Sequence, residues 1–168
     1  MITMHRVQGA CARRLVLTLA ALALEGLCAA APAQAALGKS ISSVWADGRV
    51  IEATHVLNLP GPLVSETTVL TSFGVKAREF SGPTGSVFAI AWSTHGVPYL
   101  EDLYAGYFPG YLAWIHAHPQ PANIAALSVR TADLRAHAMG HMGDWSGSAY
   151  VPALIPPGVD LATVGVQP

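Results

Sequence analysis

Cysteine is nearly missing from this chain: there are two, Cys11 and Cys28, both ahead of residue 36. If that leading segment is removed, neither a disulfide nor thiol chemistry remains. Charge is scarce as well, with Asp, Glu, Lys and Arg making up 11% of residues. No run of Lys or Arg exists to neutralise successive phosphates, which argues against a nucleic-acid surface. There is no Gly-x-Gly-x-x-Gly and no phosphate loop. Nor is there an internal repeat or a low-complexity segment.

Long apolar runs are also lacking. The stretch from Leu15 to Leu24 is interrupted by Glu25, well short of the roughly 20 residues that cross a bilayer as a helix. Arg6, Arg13 and Arg14 precede it, and small residues with Ala33-Gln34-Ala35 follow. That is the layout of a secretory signal peptide over residues 1–35. Arg13-Arg14 suggests the twin-arginine route, but the flanking residues suit the ordinary secretory route better. Glu25-Gly26-Leu27 before Cys28 lacks the pattern of a lipid-attachment site. The expectation is a periplasmic or secreted protein with no membrane span after leader removal. Its single globular domain is expected over residues 36–168. Of nine basic residues the leader takes Arg6, Arg13 and Arg14, and of ten acidic residues it takes Glu25, leaving six and nine and a net charge of minus three.

What is present is a sheet pattern. Val75 to Ser81 and Val87 to Trp92 are extended runs joined by Gly82-Pro83-Thr84-Gly85, a tight-turn composition. Phe88, Ile90 and Trp92 are expected on one face of the second run and Val87, Ala89 and Ala91 on the other, so this strand reads as central. Lys76, Arg78 and Glu79 mark its partner as partly solvated. Ser65 to Phe73 adds a third strand to this central meander. Arg49 to Leu59 suits a strand, although its pattern is ambiguous, and Ser40 to Asp47 suits a short helix. Past Pro98, Leu100, Leu103, Tyr104, Tyr107, Phe108, Tyr111, Leu112 and Ile115 share one helical stripe, with Glu101 and Asp102 in the favourable first turn. Pro109 is expected to kink this helix. Strands then follow at Leu127 to Thr131, Leu134 to Met139 and Ser148 to Val151, with Gly140 to Gly147 as a separator and a last helical turn from Asp160. The fold class is α+β: an antiparallel sheet with a central meander packed against one long, kinked amphipathic helix.

The order of motifs resembles one family. The carriers are Ala36-Leu37-Gly38, the hairpin Glu79 to Trp92, Tyr107-Phe108-Pro109-Gly110-Tyr111, Gly140-His141-Met142, and Ala149 to Val159. Together they are similar to the exported bacterial proteins of domain-of-unknown-function family 2844, across nearly all of the chain past the leader. Between Asp47 and Glu66 this chain is longer and richer in proline than the family pattern. The resemblance implies no activity and assigns no functional residue.

Three chemistries remain to be weighed. His137 and His141 are metal-ligand types in a compartment where imidazole binds copper and zinc. On a strand they share a face but stand about 13 Å apart, too far for one ion. Ser146, with His141 or His137 as base, is the nearest thing to a hydrolytic nucleophile, yet Gly143-Asp144-Trp145-Ser146-Gly147 lacks the glycine spacing of a nucleophile elbow. Glu101 and Asp102 are adjacent and diverge by about 100° on a helix, so they make no acid/base pair. Aromatic residues off the helix stripe, Tyr99 and Trp114, are candidates for a recognition surface, with Trp145, His137 and His141 as further binding candidates. The reading is a non-catalytic binding or assembly accessory protein of the cell envelope, needing no cofactor, whose partner is an envelope protein or a small apolar ligand. A periplasmic metal-binding protein is the alternative, and a serine hydrolase comes third.

Overall fold

The computed structural model describes residues 36–40, 48–57 (backbone alone through residue 55), 61–121 and 125–167. The expected leader, and all but Ser40 of the helix expected over Ser40–Asp47, lie outside the described residues. Among the described residues seven strands form one antiparallel sheet: β1 (Gly48–Leu57), β2 (Val64–Thr71), β3 (Lys76–Ser81), β4 (Val87–His95), β5 (Ala126–Arg130), β6 (Arg135–His141) and β7 (Asp144–Tyr150). Their order across the sheet is β1-β2-β3-β4-β7-β6-β5. The chain therefore leaves the middle strand, β4, and lays β5 at the far edge. It then works back through β6 so that β7 pairs with β4. The segment Arg49–Leu59, ambiguous by pattern, is thus a strand as far as Leu57, where the described residues pause.

The connection from β4 to β5 is helical from Leu100 to Ala117: α1 (Leu100–Tyr104), a 3-10 turn (Ala105–Tyr107) and α2 (Phe108–Ala117). The interruption falls ahead of Pro109, not at it. Pro109 has no N–H to give the carbonyl four residues back, so it stands in the first turn of α2, where none is required. Ala105 absorbs the change of direction at φ 43°, ψ −121°.

Strand alternation sorts the side chains onto two faces. One face carries Val69, Ala77, Trp92, Gly147, Ala138 and Leu127 in one row across the sheet. A parallel row on that face contains Ile90, Ala149, Ala136 and Val129. Leu100, Leu103, Tyr104 and Tyr111 of the helical segment join these residues in the larger apolar cluster. Gly147 is needed there. A Cβ would lie 2.6 Å from the Trp92 ring and 2.4 Å from the His137 carbonyl oxygen. Tyr104 is fully buried and accepts a hydrogen bond from Trp92 Nε1 at 3.3 Å. Burial, with Tyr111 close by, pushes the Tyr104 phenol well above its ordinary range, and burial raises Tyr111 too.

The opposite face has a smaller cluster: Val64, Phe80, Phe88 and Ala89 under Leu161, Val164 and Val166 of the C-terminal segment. Phe88 corrects the expected facing. Phe80 pairs with Ala89 and Ser81 with Val87, so Phe88 is the extra residue of a β-bulge. The bulge puts Val87 with the helix-side cluster and Phe88 across from Ile90 and Trp92. Glu79, expected to mark a solvated strand, is instead fully buried in the row of Thr67 and Ile90, on the helix side. The separator expected over Gly140–Gly147 is also corrected: β6 and β7 run on to a two-residue turn at Met142-Gly143. Both have positive φ, 52° and 91°, as a type I′ turn requires.

Residues 36–40 tie helix to sheet. Leu37 N–H donates to the Leu103 carbonyl at 3.1 Å, and Gly38 N–H to that of Val87 at 2.8 Å. No helix among the described residues is long and apolar enough to cross a membrane.

Candidate functional site

The face away from the helix is where side chains with chemistry collect, and alternation explains why. In β6 the small Ala136, Ala138 and Gly140 turn to the helix side, leaving Arg135, His137, Met139 and His141 on the other. In β7 Ser146, Ser148 and Tyr150 do the same against Trp145, Gly147 and Ala149. One row therefore reads Lys76, Ser93, Ser146, Met139 across β3, β4, β7 and β6. The next reads Arg78, Ala91, Ser148, His137.

The C-terminal segment makes a wall beside these rows. Asp160 starts its 3-10 turn (Leu161–Val164), accepting a hydrogen bond from Ala162 N–H at 3.0 Å. Arg78 Nη2 donates to the Val164 carbonyl at 3.0 Å, and Gln167 N–H donates to Ser148 Oγ at 3.2 Å. Arg78 also lies 3.6 Å from a Glu66 carboxylate oxygen and over the Phe80 ring at 5.3 Å. Its charge is thus committed to holding the wall. Between wall and strands lies a cavity of about 410 Å³, lined by both rows together with Gly165 and Gln167. A second cavity of about 790 Å³ continues toward the sheet end. It shares Lys76, Ser93, Met139 and Ser146 with the first and adds Ala125, Ala126, Gly140, His141 and Trp145.

The candidate residues are distributed as follows. His137 lines the first cavity and His141 the second. Four residues apart on β6, they stand about 13 Å from each other at the usual strand rise. Among the described residues no three His, Cys, Asp or Glu side chains converge to hold a metal ion. Ser146 is in register with Ser93 and Met139, while His141 faces Asp144 and His137 faces Ser148. Asp144 is instead in contact with His95 Nδ1, an exposed pairing of little weight in stability. Trp145 faces the helix side, where its ring covers Gly140 so closely that a Cβ would come within 2.4 Å. Tyr99 precedes α1 and stacks on Phe73 with ring centres 4.6 Å apart. Trp114 is half-buried against the helix-side cluster and stacks on His118 at 4.2 Å. The structure thus brings His137 and His141 to two adjoining cavities, lets Trp145 border the second while its ring lies on the helix side, and leaves Tyr99 beside Phe73 and Trp114 on the helix.

Sequence reading missed Lys76, Ser93, Met139, Ser148 and Gln167. Alternation within each strand places the first four on a common face. Only the β4–β7 pairing makes them neighbours, and only the folded tail brings Gln167 to them.

An antiparallel α+β sheet with a helical brace on one face and a tail-walled polar groove on the other is the class of protein this chain defines. Residues 33–164 match the family model described as a protein of unknown function, DUF2844. The chain belongs to that family. No curated protein matches it. No solved structure matches it either.

Proposed function

We propose that this is an exported protein of the cell envelope that acts by binding, without catalysing a reaction, and that the groove beside the C-terminal wall is its ligand site. The observation that carries the reading is the groove itself: a 410 Å³ cavity set over the middle strands and edged by a tail with its own polar anchors. Its size lies within the roughly 300–1,000 Å³ typical of ligand sites. On this reading the central meander and one long, kinked amphipathic helix are a rigid support, and the polar rows are the working surface. Residues 1–35 direct export and are removed, leaving a periplasmic or secreted product. Ser146, in the row common to both cavities, is the position at which to block the site.

Native mass spectrometry on protein isolated from the envelope of producing cells tests this. The wild type is expected to carry a small-molecule adduct that Ser146→Trp lacks, with both chains starting after Ala35. An adduct retained equally by Ser146→Trp, or a chain left unprocessed in the cytoplasm, overturns it.

A further inference from the structure

We propose that the two cavities form one groove for a single anionic amphiphile, with its acid head at Lys76 and its apolar tail along Met139 toward Ala126. This rests on the reading of the groove as a ligand site and specifies the chemistry of the ligand.

Continuity comes first. Lys76, Ser93, Ser146 and Met139 line both cavities and are consecutive in one row across four strands. That row passes from an ammonium through two hydroxyls to a thioether, a gradient from anion-binding to apolar within one line of side chains. Serine hydroxyls donate to an acid oxygen, and methionine adapts to an alkyl chain.

Charge comes second. Arg78 is held by Glu66 and the Val164 carbonyl, whereas Lys76 is exposed and has no ion-pair partner among the described residues. An anion entering the groove therefore meets an available ammonium, while the one carboxylate lining either cavity, Asp144, stands at the sheet end beside His95.

The third observation is the rim. Of the eight large apolar side chains that stand exposed among the described residues, Phe73, Val97, Tyr99, Met139 and Met142 are five, and they sit at the sheet end onto which the larger cavity opens. Their loops meet there: Gly96 N–H donates to the Gly143 carbonyl at 2.7 Å. An apolar rim of this kind marks an apolar ligand's entrance.

Isothermal titration of the mature protein with dodecanoate below its micelle concentration tests the proposal. Dodecyltrimethylammonium, acetate and phosphatidylglycerol vesicles are the comparison probes. Dodecanoate is expected to bind at one site, with the ammonium amphiphile at least about tenfold weaker, the scale of one hydrogen bond to a charged group, and acetate weaker by more than that because it buries no alkyl chain. Lys76→Glu, at an exposed position that leaves the core untouched, should weaken dodecanoate by about tenfold or more on the same grounds. Equal binding of both amphiphiles, or dodecanoate binding unchanged in Lys76→Glu, overturns the proposal. Vesicle binding without binding of the monomer also overturns it, assigning the rim to a membrane surface. If acetate competes as well as dodecanoate and Ser146→Trp abolishes both, the groove stands as a ligand site and the amphiphile falls. If no probe binds and Ser146→Trp changes nothing, both readings fall together.

Discussion

Replacing Tyr104 by Phe removes a single oxygen from the most protected part of the molecule, and its cost follows from what that oxygen does. The ring is fully buried, packs edge-on against Tyr111 with centres 5.1 Å apart, and keeps that packing as Phe. What is lost is the acceptor for Trp92 Nε1, whose side chain is itself 3% exposed. An orphaned buried donor costs about 1–3 kcal/mol. At 3.3 Å the bond is longer than the usual 2.9–3.0 Å optimum, so about 1–2 kcal/mol is expected. An unfolding entropy of about 2.1 cal/mol/K per residue, over the roughly 130 residues of the matched region, converts this to a fall in Tm of about 4–7 °C. Thermal unfolding followed by circular dichroism measures it. A double-mutant cycle with Trp92→Phe isolates the bond, and a coupling of about 1 kcal/mol is expected. A Tyr104→Phe protein as stable as wild type, or one that loses the same amount in the Trp92→Phe background, refutes the reasoning.

Two further outcomes are expected. Met142 holds a φ of 52° in the β6–β7 turn, where Asn is far more comfortable, so Met142→Asn should add about 0.5–1 kcal/mol to stability, read from the urea midpoint. The phenols of Tyr104 and Tyr111 are raised above their ordinary value, so the folded state holds these protons more tightly than the unfolded chain. Their contribution is full below pH about 10 and is lost as pH rises through the folded values. Ultraviolet titration should show these two tyrosines ionising at higher pH in the folded protein than in the urea-unfolded chain.

Much of the sheet was legible because its signals are local. The Gly82–Gly85 turn and the alternation in β3 and β4 are properties of neighbouring residues, and the central position of β4 followed from its apolar character on both faces. Phe88 was misassigned because a bulge depends on what the partner strand does at Ser81. Glu79 was misjudged because charge suggests solvent, whereas its register with Thr67 and Ile90 puts it inside. The turn at Met142-Gly143 was hidden by a methionine where Asn-Gly would have announced it. The groove was the least legible part. His137 and His141 stand out one by one in the sequence, but the setting they share arises from β7 entering beside β4 and from the tail folding back. Both are long-range pairings with no local signature.

The account depends most on the row from Lys76 to Met139 being where a ligand sits. An amide NMR titration of the mature protein with dodecanoate tests this directly. The account predicts saturable shifts at Ser93, Met139, Ser146, Ser148 and Gln167, on both strands and wall, and none of that pattern in Ser146→Trp. Shifts gathered instead on α2 around Trp114, with the row unmoved, would contradict it.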